Sequence, residues 1–161
     1  MTIVYEQRGL DCFPLIERSL LDDLSLHSRF GGYFEIPNAS FDPSRKQYNA
    51  RRVIDLLVKL HGPSKDLLLG IVDVDIYVQR MNFIFGLAQP LRRAAVVSLF
   101  RLAGLKRAER VAKEVVHETA HLLGLEHCPR QDCVMHFSNT VEDTDHKKER
   151  LCVNCRRIIE R

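Results

Sequence analysis

The chain has 161 residues, 45% of them hydrophobic and 28% charged, enough for one core and too few for two of ordinary size. Its formal charge of +3 is too small to mark a polyelectrolyte binder, and no run approaches the roughly 18 apolar residues of a membrane span. The opening MTIVYEQRGLDCF carries Glu6, Arg8 and Asp11 where a signal peptide needs an apolar stretch, so the expectation is one compact domain over 1–161, cytoplasmic, without a membrane partner.

In chain order, TIVYE (2–6) predicts a strand, and FPLIERSLLDDLSL (13–26) a helix with Pro14 in its first turn. GGYFEIP (31–37) reads as a second strand and ASFDPSRKQY (39–48) as a loop. NARRVIDLLVKLHG (49–62) predicts a second helix capped by Asn49 and stopped by Gly62, with Val53, Leu56, Leu57 and Leu60 on its apolar stripe. DLLLGIVDVDIYV (66–78) begins as a strand buried on both faces; Asp73 and Asp75 share one side of it and are expected in solvent. NFIFGLA (82–88) and RAAVVSLFRL (93–102) are further strands. The longest helical pattern, AERVAKEVVHETAHLL (108–123), has Val111, Val115, Val116, Ala120 and Leu122 or Leu123 as its apolar side. Helices alternating with strands, then two strands in succession, predict an α/β (α+β) layer with a mixed sheet.

That last helix runs into HETAHLLGLEHC (117–128). Residues four apart on a helix sit about 40° apart and one turn up, so His117 and His121 can share one ion. Gly124 permits the left-handed turn that ends the helix and brings His127 back as a third ligand. Three imidazoles leave the fourth position of a tetrahedral zinc open, the mark of a catalytic rather than a structural site, with Glu118 placed as general base for water there.

Cys128, Cys133, Cys152 and Cys155 crowd the last 34 residues as C-x4-C and C-x2-C, whereas Cys12 stands alone as a buried small hydrophobe. In a cytosolic chain such pairs point to a tetrathiolate zinc, with disulfides the alternative. After Gly124 only 37 residues remain, too few to hold His127 by packing alone, so a structural zinc would staple a short subdomain (125–161) to the sheet and helix subdomain (1–124). His136 and His146 read as exposed. The basic stretches RLAGLKRAER (101–110) and HKKERLCVNCRRIIER (146–161) read as solvated faces.

The grid H-E-x-x-H-x-x-G-x-x-H followed by a methionine resembles the metzincin clan of zinc peptidases. The segment HCPRQDCVM joined to a later CVNC resembles the archaemetzincin family within it, matched by His127, Cys128, Cys133, Met135, Cys152 and Cys155. The resemblance implies a twisted mixed sheet of about five strands with the active-site helix packed behind it. It implies a catalytic zinc on His117, His121 and His127, Glu118 as general base and then acid, and Met135 in a turn beneath the ligands. It also implies an antiparallel edge strand, here NFIFGLA, that pairs with an extended peptide substrate. A tyrosine beside the Met-turn, present in some metzincins, has no counterpart, since Tyr5, Tyr33, Tyr48 and Tyr77 all precede the grid. The expected function is therefore a zinc metallopeptidase with two zinc ions per chain and a peptide or protein substrate. The alternative is a zinc-containing peptide- or nucleic-acid-binding protein with little or no turnover, nucleic acid being the disfavoured partner; oligomeric state is not readable.

Overall fold

A computed structural model describes residues 1–6, 12–62 and 66–160. Its main sheet has five strands in the order β2 (Arg29–Tyr33), β1 (Thr2–Tyr5), β5 (Leu68–Val72), β8 (Ala94–Ser98), β7 (Gly86–Gln89). The first four run parallel and β7 runs antiparallel to β8 along one edge. The central strands LLGIV and AAVVS are buried throughout, as strands must be when helices cover both faces.

Strand alternation sorts the core into two layers. Ile3, Tyr5, Leu69, Ile71, Ala95 and Val97 face the helices α1 (Phe13–Leu24) and α3 (Arg107–Leu122), while Val4, Leu68, Val72 and Val96 face α2 (Ala50–His61). Asn49 caps α2 as expected, its side chain accepting from the amides of Arg51 and Arg52, and Gly62 ends it at φ 63°. The buried stripe is Ala50, Val53, Ile54 and Leu57; Leu56 is half-buried and Leu60 is 57% exposed, so the predicted stripe is rotated toward Ala50 and Ile54.

Several boundaries differ from the sequence reading. The second strand begins at Arg29 and leaves the sheet after Tyr33. The predicted loop 39–48 holds a short hairpin, β3 (Phe41–Asp42) and β4 (Gln47–Asn49), whose turn is closed by Asp42 Oδ1 accepting from the amides of Ser44 and Arg45. The run 66–78 divides into β5 and β6 (Ile76–Tyr77), and β6 pairs with β4 in a separate three-stranded sheet. Asp75 is not free in solvent: Arg101 donates two bonds to it at 2.7 and 2.5 Å and Gln47 a third, while Asp73 lies 4.0 Å from Arg107. A strand end here meets charged side chains of the next elements. NFIFGLA becomes strand only from Gly86, but it forms the antiparallel edge. Beyond α3 the chain adds two short helices, α4 (Val141–His146) and α5 (Val153–Ile159), around the cysteine cluster. Among the described residues no helix is long and apolar enough to cross a membrane.

Candidate metal centre and cleft

Eleven of the sixteen residues of α3 are buried, because the helix is enclosed by β7, β8, α1 and α4. It ends where the grid requires: Gly124 adopts φ 93°, the amide of Gly124 donates to His121 O at 3.0 Å and that of Leu125 to Ala120 O at 3.1 Å. This left-handed closure reverses the chain and returns His127 to the two helical histidines.

The ring orientations are fixed from outside. His117 Nδ1 lies 2.8 Å from the carbonyl of Val134, and His121 Nδ1 lies 2.7 Å from that of Leu125. A carbonyl only accepts, so both rings carry their proton on Nδ1 and turn an Nε2 lone pair inward. These two Nε2 atoms stand 3.1 Å apart. Two lone pairs cannot hydrogen-bond to each other; they can share a cation. Tetrahedral zinc with bonds of about 2.0–2.1 Å would separate neighbouring ligand nitrogens by about 3.4 Å. His127 completes the group, each histidine offering one nitrogen within 4.8 Å of the others, and its ring packs edge-on against Phe137 at 4.9 Å. Burial is the first cause lowering all three histidine pKa values, which keeps them neutral and able to bind metal.

Glu118 is buried beside this trio. Burial, then the neighbouring Glu114, pushes its carboxyl well above the usual carboxylate range, with Lys147 opposing. Its place against β7 depends on a missing side chain: a Cβ on Gly86 would lie 2.5 Å from Glu118 Cγ and 2.7 Å from Oε1. Gly86, Leu87 and Ala88 of β7 form one wall of an open cleft of about 780 Å³ whose other side includes the histidines, Phe137 and Ser138. Beyond β8, β7 pairs with no other strand among the described residues.

Met135 is fully buried. Its carbonyl accepts from the amide of Cys128 at 2.9 Å, and the preceding Val134 carbonyl is the one that orients His117. The turn around Met135 thus touches both donor clusters. Cys128 and Cys152 bring their sulfurs to 3.8 Å, as do Cys133 and Cys155. A disulfide needs about 2.05 Å, whereas four thiolates at about 2.3 Å around zinc sit about 3.8 Å apart. Burial raises the Cys133 and Cys155 thiols, while at Cys152 burial is outweighed by hydrogen bonds from Cys155 and the other thiols, leaving it at about 7. Such crowding admits four thiolates only around a cation. Neither His136 nor His146 belongs to either donor group among the described residues; His136 Nδ1 lies 3.1 Å from the carbonyl of Cys128. Cys12 is half-buried against the main core.

The basic tail departs from expectation. Lys147, in the stretch read as solvated, has a side chain with no exposure and donates to Glu114 Oε1 at 2.8 Å, that side chain being 4% exposed. The cause is α4: Thr140 and Asp143 form a capping box at its start, Arg110 grips Asp145 with two bonds at 2.7 and 2.8 Å, and Lys113 donates to Thr144 O at 3.0 Å. These contacts dock the tail on α3 and drive Lys147 inward. Glu114, Lys147, Gly86 and Phe137 all line the cleft and were not singled out from sequence. Glu114 alone gave a signal, as a carboxylate amid the apolar positions Val111, Val115 and Val116.

The archaemetzincin of Pyrococcus horikoshii is 44% identical over 161 aligned residues, covering 91% of this chain and 79% of that protein. The crystal structure of the archaemetzincin of Methanopyrus kandleri superposes with a TM-score of 0.89 at 30% identity, covering 99% of this chain and 92% of that one. That of Archaeoglobus fulgidus gives 0.87 at 33% identity over 98% of both. The profile of peptidase family M54 matches residues 33–161, and with the nitrogen and sulfur donor sets arranged as above, this chain belongs to that family.

Proposed function

We propose that the chain is a zinc-dependent metallopeptidase in which His117, His121 and His127 hold the catalytic ion and Glu118 is the general base. The observation that carries this is the pair of helical imidazoles, each pinned through Nδ1 to a carbonyl and presenting its Nε2 inward beside a buried carboxylate. Zinc, when bound, supplies Lewis-acid polarisation and a more acidic water. The chain's own residues do the rest. The free edge of β7 offers main-chain donors and acceptors to an extended peptide. Glu118 takes a proton from water entering the open side of the histidine trio and returns it to the leaving amine.

The four cysteines would bind a second, structural zinc, giving two ions per chain. That ion would hold the turn from Cys128 to Met135, which delivers His127 and the carbonyl that orients His117. Residues 125–161 then act as a metal-stapled subdomain on the sheet and helix unit 1–124, in a cytoplasmic protein whose thiols stay reduced. The nucleic-acid alternative loses support in the tail, where Lys147 is buried and Arg156 lies 3.5 Å from Asp23. The test is hydrolysis of a peptide substrate that a chelator abolishes and added zinc restores; hydrolysis indifferent to chelation would refute the metal's part in it.

A further inference from the structure

The three histidines are not held alike. His117 and His121 are each fixed through Nδ1 to a backbone carbonyl, whereas the His127 ring has no hydrogen-bond partner among the described residues and is the exposed member of the trio. Metal-binding imidazoles almost always donate their second N–H to a fixed acceptor, which sets the orientation of the ring. His127 is oriented by ring packing instead. Its centroid lies 5.3 Å from that of His117 and 4.9 Å from that of His121, its fellow ligands, and 4.9 Å from that of Phe137, with 62° between the last two planes. Phe137 is thus the one aromatic ring outside the donor group that packs on His127 among the described residues. The backbone keeps it there: the amide of His136 donates to Cys133 O at 2.9 Å, and Met135 O accepts from the amide of Cys128, the residue after His127, at 2.9 Å.

We infer that Phe137 is the positioning residue for His127, and that its ring sets how fast the histidine site releases zinc. An imidazole bound to a divalent cation carries part of that charge, so its edge is drawn to the negative face of an aromatic ring. A leucine at the same place would supply apolar area without that face. His117 and His121 cannot turn away from a shared ion without breaking a hydrogen bond to a carbonyl. His127 has no such bond to break and opens, like the 42% exposed Phe137, onto the cleft. Release therefore begins at His127, and the contact with Phe137 is what slows it. Edge-to-face contacts of this kind are worth about a two- to tenfold change in an equilibrium beyond the area that they bury.

The assignment rests on the metallopeptidase reading only in that the three histidines bind zinc, and its test reads metal release rather than hydrolysis. Zinc-loaded protein is mixed with an excess of a chromogenic chelator and the transfer of zinc is followed in time. The phase that disappears in the His127→Ala variant belongs to the histidine site; the remaining phase belongs to the cysteine cluster and serves as an internal control. Phe137→Leu is expected to speed the first phase about two- to tenfold while leaving the second phase and the thermal melt unchanged. Phe137→Trp keeps an aromatic face and should release zinc at close to the parental rate. Parental release from the leucine variant, equal acceleration in the leucine and tryptophan variants, or acceleration of both phases alike would overturn the assignment and leave the metal site standing. A parent protein that takes up no zinc at the histidines would overturn it together with the metallopeptidase reading.

Discussion

Gly86→Ala isolates the link between the edge strand and the general base. The added methyl carbon would lie 2.5 Å from Glu118 Cγ and 2.7 Å from both Cδ and Oε1, against ordinary carbon contacts of about 3.5–4.0 Å, so the carboxylate must retreat by roughly 1 Å. The clash is with the far end of a side chain rather than with backbone, so Glu118 moves and the strand stays. Displacement of a reacting group by 1 Å can cost about 100-fold in rate, within the roughly 10²- to 10⁴-fold contributed by general acid–base catalysis. Overpacking should cost about 1–3 kcal/mol, a melting shift of a few degrees. The assay is kcat/KM on any peptide that the parent cleaves, alongside zinc content and thermal melting. Turnover should fall about 100-fold with zinc unchanged, and combining Gly86→Ala with Glu118→Gln should add no further loss, since both act through one group. Full turnover in the alanine variant would refute the placement of Glu118 against β7 as a requirement for catalysis.

Glu118→Gln should retain the catalytic zinc while turnover disappears. In the metal-free protein this substitution has a pH signature: Glu118's folded pKa is raised above the usual carboxyl value of 4.5, so the folded parent holds a proton that the unfolded chain releases. The parent's stability therefore falls as pH rises from about 4.5 through the raised value, and denaturant melts should show the glutamine variant gaining on the parent across that window; a constant difference would contradict the burial argument. Gly124→Ala forces a side chain into φ 93° at a cost of about 1–2 kcal/mol and should weaken zinc retention at the His127 site, read by chelator competition. Cys152→Ser with Cys155→Ser should lower metal analysis from two zinc ions per chain to one; two retained ions would remove the structural site.

What could be read from sequence follows from what spacing encodes. The histidines of α3 are four apart and Gly124 ends the helix, so their convergence is local and visible in twelve letters. The donor pairs of the cysteine cluster are likewise short-range. The hairpin β3–β4 was missed because its strands are two and three residues long and carry no alternation, its turn being held by the Asp42 side chain. Leu60 was misplaced because an apolar residue at helical spacing need not find a sheet opposite it. Lys147 was hidden more deeply: a lysine in a charged run has no periodic mark of burial, and only the docking of α4 on α3 through Arg110, Lys113 and Asp145 takes it into the cleft. Gly86 carried no signal, because its meaning lies in the carboxylate that occupies the space of its absent side chain.

The most direct trial of the hydrolytic account is to incubate the zinc-loaded protein, and separately its Glu118→Ala variant, with a diverse peptide mixture and to compare the fragments by mass spectrometry. New termini should accumulate with the parent, vanish with chelation and be missing from the variant's digest. Identical fragment sets from the two proteins would contradict a general base at Glu118, and no new termini from the zinc-loaded parent would contradict peptide hydrolysis itself.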